Sequence, residues 1–467
     1  MHGVSPASAQ DGAPADASCG PGSHCPVLTL DAFLDQVLRT SPAARSLRLE
    51  TDRALAALLD ARGAFDPYLT SGYEYKTQGS KDKLNVLRSG VTLPFDLPMS
   101  PSLKVDYRRG LGSSIDPSVF TSPVGETRFG LSFSPLKGFA TDKRRAALDK
   151  ARLEPRRADA LQTRGRHRVL LDATRAFWTW VEAQGILQIN RELMVLATRR
   201  RDLVVRQVRA GETAAVDSVE AELAVVSREG KVAAARRKAE EARVKLSVFL
   251  WEEDGTPQPL RHDPPPLPDL PAVADSAAAM TLAQSRRPEL KEMALKQRQM
   301  QVEQRLVRER LRPDLKLEAQ VVSYDESPFN VNDVKLGFKI DQPLFFRGGR
   351  SQAERVEIDV QALRFKQDLT RRKVRADVET ALLALRQSRR RVAATERQVE
   401  LAQHLQRAEQ RRFDLGESTL FLVNQREQAF AEAREAHIAA RINVLQAHAT
   451  YQWATGTIGD RLPPADR

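Results

Sequence analysis

The sequence contains no run of roughly 20 apolar residues, so none of its segments can cross a bilayer as a helix. That absence leaves a β-barrel open, because alternating strands keep hydropathy low, and the mean hydropathy is −0.44. Cysteine is nearly missing. Only Cys19 and Cys25 occur, and His24 is the sole further ligand nearby, which is too few for a structural zinc site. The pair reads either as a disulfide closing a small loop in an oxidising compartment or as two free thiols in a tail. Histidine is scarce and scattered: His404, His437 and His448 lie in helical stretches without a metal-binding partner four residues on. Gly230-Lys231 is no phosphate loop, since Val225 stands where a glycine is required, and Gly110-Leu111-Gly112 lacks the third glycine of a dinucleotide loop. No catalytic constellation remains. The expectation is a protein that is not an enzyme, with no cofactor and no metal.

Charge is plentiful. Charged residues make up 29% of the 467, aromatics 6%, and the net charge is +12. This profile suits long helices, and the basic balance raises nucleic acid or an acidic surface as a partner. The runs Arg199-Arg200-Arg201, Arg236-Arg237-Lys238, Arg371-Arg372-Lys373 and Arg389-Arg390-Arg391 would carry that reading. They lack interleaved aromatic stacking groups and are mixed with glutamate, so solvated helix faces explain them better. A soluble basic coiled-coil scaffold or nucleic-acid binder is the alternative; no nucleic-acid partner is expected.

The chain reads as two copies of one plan. A tail over 1–27 holds Pro6-Ala7-Ser8-Ala9, similar to a secretory cleavage site without the charged and apolar regions that precede one. The first copy, 28–253, has a helix, strands within 69–135 and a long helical hairpin with its tip at 209–213. A proline-rich linker spans 254–280. The second copy, 281–458, has a helix, strands within 315–343 and a hairpin with its tip at 414–418; a tail over 459–467 follows. A constant offset of 205 carries Gly211-Glu212-Thr213 onto Gly416-Glu417-Ser418, Ala234-Ala235-Arg236 onto Ala439-Ala440-Arg441, and Glu222 onto Glu427.

Residues 350–415 contain neither glycine nor proline, enough for a helix of roughly 100 Å. Val378, Leu385, Val392 and Val399 recur every seven, flanked by the small Ala381, Ser388, Thr395 and Ala402, a narrow coiled-coil seam. The first-copy equivalent, from about Asp142 to Arg209, carries Pro155, Gly165 and Gly185. At each tip a glycine ends the long helix, and Thr213 or Ser418 is placed to cap the returning one. The strand signals are equally regular. Val91, Leu93, Phe95 and Leu97 alternate with polar or proline positions; so do Leu103, Val105 and Tyr107, then Phe129, Leu131 and Phe133. In the second copy Leu315, Leu317, Ala319 and Val321 alternate, then Val334, Leu336, Phe338 and Ile340. With 69–75 this makes about six strands, apolar on one face and polar on the other.

The duplicated plan resembles the TolC family of outer-membrane efflux and secretion channels. Phe65-Asp66-Pro67 enters the first strands and Pro135-Leu136-Lys137-Gly138-Phe139 leaves them; Pro343-Leu344-Phe345-Phe346-Arg347-Gly348-Gly349-Arg350 is the second exit. The resemblance implies an α+β membrane protein: a long α-helical coiled-coil periplasmic barrel plus a transmembrane β-barrel shared by three protomers, internally duplicated. It implies the outer membrane of a Gram-negative bacterium, with a large periplasmic part. Its partners would be outer-membrane lipid, two further copies, a periplasmic adaptor and an inner-membrane pump. Lys104, Asp106, Lys316, Glu318 and Lys339 would face the lumen. Gly211, Glu212, Thr213, Gly416, Glu417 and Ser418 would dock the adaptor. Aligned on the tip glycines, Asp217 keeps the partner acid of the family's gate latch. Ser418 replaces the latch arginine, and Leu422 and Gln425 replace two ring acids. A gate packed from Phe421, Leu422 and Val423, with Asn424 and Gln425 hydrogen bonding, is the expectation. The family usually places two strands in each half, whereas here the first cluster has room for two or four.

Overall fold

The computed structural model describes residues 26–79, 81–110, 121–460 and 462, so Cys19 and Cys25 lie outside the described part. In chain order the elements are α1 (Leu30–Thr40), α2 (Pro42–Gly63), β1 (Tyr68–Gln78), β2 (Lys81–Pro94), β3 (Ser102–Gly110), β4 (Glu126–Phe133), α3 (Lys143–Ala151), α4 (Glu154–Arg209), α5 (Ala215–Ser247), α6 (Ser276–Arg286), α7 (Pro288–Arg310), β5 (Asp314–Ser323), β6 (Asp333–Asp341), α8 (Arg347–Asp414) and α9 (Leu420–Thr455). They form two compact units, each drawn from both copies. One comprises the described residues of Met1–Arg48, Thr163–Pro288 and Arg371–Arg467; the other is Leu49–Gln162 with Glu289–Thr370.

The first unit is helical. Its main core buries Phe33, Leu170, Phe177, Trp180, Leu246 and Ile442, with Phe33 stacked on Phe177 at 5.5 Å. The seam of α8 behaves as its spacing predicts: Val378, Leu385 and Val392 are buried, and the last two pack on Ala440, Val444 and Ala447 of α9. Alanines let the helices approach closely. Gly165 and Gly185 do not break α4, because they are close-contact positions: a Cβ would sit 2.4 Å from a Leu47 methyl at the first and 3.2 Å from Ile438 at the second. The linker is strapped onto this unit. Its prolines form no backbone ladder, so its carbonyls accept from side chains: Pro268 from Arg441 at 2.9 Å, and Pro271 from Arg389.

The second unit carries one antiparallel sheet of six strands in the order β1-β2-β3-β4-β5-β6. The first cluster therefore has four strands. Phe95 and Leu97, which the alternation assigns to a strand, instead lie in the turn from 95 to 101, since the ladder ends at Pro94↔Ser102 and Pro98 and Pro101 have no N–H to extend it. Met99 and Ser100 take left-handed conformations there, with φ of 66° and 51°.

That turn is fixed by a polar network. Met99 exchanges backbone hydrogen bonds with the strand exit, donating to Gly138 at 3.2 Å and accepting from Ser134 at 2.7 Å. Ser100 donates to Asp142 at 2.6 Å, and Asp142 caps α3 through the N–H groups of Arg144 and Arg145 while accepting from the Arg145 guanidinium at 2.9 Å. The buried Glu309 accepts from the Gly138 N–H at 3.1 Å. Burial pushes the Asp142 carboxyl up, but the bonds from Ser100, Arg145 and the two backbone amides outweigh it and hold it below the usual carboxylate value. A depressed folded pKa stabilises above the unfolded value of 3.8 and loses that contribution as pH falls through the folded one. Asp142→Ala should therefore cost about 1–2 kcal/mol at neutral pH. Denaturant unfolding at pH 7 and at pH 3 should show this gap shrinking in acid; an equal gap at both would refute the ionised cap.

Candidate functional site

The ladders decide which side chains share a face. Lys104 pairs with Gly130, which pairs with Gln320; Asp106 pairs with Arg128; Ser132 pairs with Glu318; and Lys316 pairs with Lys339. Since residues two apart lie on one side, Lys104, Asp106, Lys316, Glu318 and Lys339 all occupy a single face, together with Arg88 and Arg108. The opposite face carries Val91, Leu103, Val105, Phe129, Leu131, Leu336 and Phe338. Leu336 is 77% exposed and Phe338 75%. An apolar strand surface this open suits hydrocarbon rather than water.

Within the helical unit, both hairpins turn in the same way. Gly211 and Gly416 have φ of 76° and 79°. Glu212 N–H bonds the carbonyl of Gln207, and Glu417 N–H that of Arg412, the six-residue closure of a Schellman turn. This motif uses the residue after glycine, so the caps shift. Thr419, not Ser418, caps α9 through Leu422 N–H, and Ala214, not Thr213, begins α5 without a side-chain cap. Ser418 instead bonds Glu409, and the Thr213 hydroxyl is buried without a hydrogen-bond partner. Gly211, Glu212, Gly416 and Glu417 are exposed, and beyond the adjoining residues no described atom lies within 4 Å of a Cβ built on either glycine.

Asp217 sits half-buried in the first turn of α5, near Glu220; burial first, then the Asp217 charge, raises the Glu220 pKa. Phe421 is 61% exposed and Gln425 exposed, whereas Leu422 and Asn424 are half-buried. Val423 is fully buried in the protomer's own packing and is not free to plug an aperture.

A polar cluster that the basic run 199–201 does not announce joins α4, α5, α8 and α9. Arg200 of α4 donates to Glu427 of α9 at 2.7 Å, to Asn424 at 3.3 Å and to Gln410 of α8 at 3.0 Å. The Arg200 side chain is 12% exposed and that of Glu427 4%. Arg228 of α5 is buried too; desolvation lowers its pKa while the Glu427 charge opposes. All four helices thus meet at one charged cluster. The signal was present: Arg200 interrupts the buried stripe Leu193, Ala197, Val204; Arg228 follows Ala221 and Val225; Glu427 follows Leu420 and Val423. Among the described residues, no group of three or more His, Cys, Asp or Glu could hold a metal ion, and no helix is long and apolar enough to cross a membrane.

No curated protein sequence matches the chain. Its fold is similar to that of solved outer-membrane channels. The Campylobacter jejuni CmeC channel has a TM-score of 0.64 and 13% identity, with 92% of this chain and 85% of that one covered. The Neisseria gonorrhoeae MtrE channel in its open state gives 0.67 and 16%, covering 92% and 89%. A membrane protein from Pseudomonas aeruginosa gives 0.68 and 16%, covering 97% and 99%. The family model described as outer membrane efflux protein matches residues 33–250 and 279–457, one segment in each copy. A sheet with one apolar and one charged face, two matched helical hairpins and a family match over both copies agree: the chain belongs to the outer membrane efflux protein family, whose members are channels of the Gram-negative outer membrane and not enzymes.

Proposed function

We propose that three copies of this chain form the passive exit duct of a tripartite efflux or type I secretion system, opened when a periplasmic adaptor and an inner-membrane pump dock. The observation that carries this is the six-stranded sheet, whose charged face suits a water-filled lumen and whose apolar face suits lipid. One sheet of six strands is too small to enclose such a lumen, and symmetric association supplies the remainder. Lys104, Asp106, Lys316, Glu318 and Lys339 line the duct. The tips at Gly211-Glu212-Thr213 and Gly416-Glu417-Ser418 receive the adaptor. The aperture is bounded by Asp217, Phe421, Leu422, Asn424 and Gln425. Each repeat, 28–253 and 281–458, is the unit that supplies one hairpin and one share of the wall.

Planar-bilayer recording tests the reading. The protein should form cation- and anion-conducting channels, and trivalent cations added on the periplasmic side should block them weakly or not at all. Leu422 and Gln425 stand where clustered carboxylates would be needed to hold a hard cation. Leu422→Asp with Gln425→Asp should create the block. Tight block of the unmodified channel would contradict the gate alignment, and no conductance at all would contradict the duct.

A further inference from the structure

We propose that the outer-membrane wall has 18 strands, with the β2–β3 hairpin lying in the wall and the free edge of β1 pairing with β6 of a second copy of the chain. The inference rests on the three-copy reading above, since six strands from each of three copies make 18. Two strands per half, the plan the resemblance implies, would instead make 12.

The placement of the inserted hairpin follows from its ladders. β1 is entered from Phe65-Asp66-Pro67 and β4 leaves through Pro135-Leu136-Lys137, so β2 and β3 are the strands added between these two junctions. A hairpin hanging in the lumen or outside the membrane would leave β1 to pair with β4. In the structure β2 pairs with β1 from Tyr68↔Thr92 onward, and with β3 from Val86↔Gly110 to Pro94↔Ser102. β3 in turn pairs with β4 from Ser102↔Ser132 to Arg108↔Glu126. The hairpin also carries the alternation of the wall. Leu87, Val91 and Leu93 in β2, and Leu103, Val105 and Tyr107 in β3, share the apolar face with Leu336 and Phe338. Arg88, Lys104, Asp106 and Arg108 share the charged one. The stripe is interrupted by Asn85 and Ser89 in β2 and Arg109 in β3, but a water-filled lumen would give a plug hairpin no reason to keep a mainly apolar one. The turn joining β2 to β3 is locked to the strand exit through Met99, Ser100, Gly138 and Asp142, and Asp96 adds an ion pair to Arg152 at 3.0 Å.

The occupant of the open edges follows from direction. Among the described residues, β1 and β6 each have one unpaired edge. Six successive antiparallel strands leave β1 and β6 running in opposite directions. β6 of one copy laid beside β1 of the next therefore continues the antiparallel order, and a head-to-tail ring closes with an even strand number and no edge. Leu69, at 71% exposure, stands on the same outward face as Leu336. With strands about 4.8 Å apart and tilted about 40°, an 18-stranded barrel has a backbone radius of about 18 Å, against about 12 Å for 12 strands. The cross-section at the membrane is about twofold larger.

Lipid exposure of the added hairpin decides the matter. In a protein carrying Cys19→Ser and Cys25→Ser, single cysteines at Val105, Lys104 and Leu336 are labelled with a fluorophore. The trimer in liposomes is then challenged with a lipid-borne and an aqueous quencher. Val105→Cys and Leu336→Cys labels should be quenched several-fold more by the lipid-borne reagent, and the Lys104→Cys label by the aqueous one. Aqueous quenching at Val105→Cys with lipid quenching at Leu336→Cys would overturn the 18-stranded wall while leaving the channel intact. Aqueous quenching at both would overturn the membrane duct and the wall together. As a second measurement, a variant pairing Tyr73→Cys with Phe338→Cys, treated with a short bismaleimide, should give dimer and trimer bands in denaturing gels. Monomer alone would show that β1 and β6 of neighbouring copies are not joined.

Discussion

Replacing Glu427 by glutamine should destabilise the hairpin end of the helical unit by roughly 3–5 kcal/mol, because it leaves buried charge without its counterion. Glu427 is the acid facing the half-buried Arg200 and the buried Arg228. Its loss strands Arg200, leaves Arg228 only the charge of Glu432, and lets the two arginines repel each other. Arg200→Gln should cost less, since Glu427 keeps Arg228 as a partner. Replacing Glu427 and both arginines together by apolar residues of similar size should recover much of the loss. Hydrogen exchange at the backbone amides of 423–431 reads the effect directly. Protection should fall by about two orders of magnitude or more in Glu427→Gln, since each 1.4 kcal/mol is tenfold. Equal, small losses in both single variants would show that the cluster is not a coupled unit.

Gly416→Trp should abolish export while trimers still reach the outer membrane in normal amount. At φ 79° any side chain with a Cβ is strained, so strain must be separated from bulk. Asparagine tolerates the left-handed conformation, and the space around a Cβ at 416 is open for at least 4 Å. Gly416→Asn should therefore export almost normally, and tryptophan should fail by obstructing the surface proposed to receive the adaptor. Export assays on membranes matched for trimer content check this. If asparagine and tryptophan fail alike, the glycine acts through its turn alone; if tryptophan exports normally, the tip is not the docking surface.

Periodicity made most of the architecture readable. The period-two runs 103–107, 129–133 and 334–340 became strands, and the seven-residue recurrence of Val378, Leu385 and Val392 became the buried seam of α8. The constant offset between Gly211 and Gly416 reappears as two turns of the same geometry. What stayed hidden depended on partners distant in sequence. Arg200 sits inside a basic run that reads as a solvated face, and only Glu427, 227 residues on, explains its burial. Phe95 and Leu97 carry strand periodicity, but neighbouring prolines remove the donors a ladder needs. The caps fell one residue beyond Thr213 and Ser418 because the Schellman closure recruits the residue after glycine. Gly165 inside α4 is explained only by Leu47, distant in sequence, which leaves no room for a Cβ there.

Fractionating cells and running the detergent-extracted protein on SDS gels without boiling tests whether three chains form an outer-membrane duct. The protein should appear in the outer-membrane fraction and run at about three times its 52.1 kDa chain mass until heated, then as the single chain. A protein recovered without detergent in the soluble fraction, running as one chain before heating, would contradict the account.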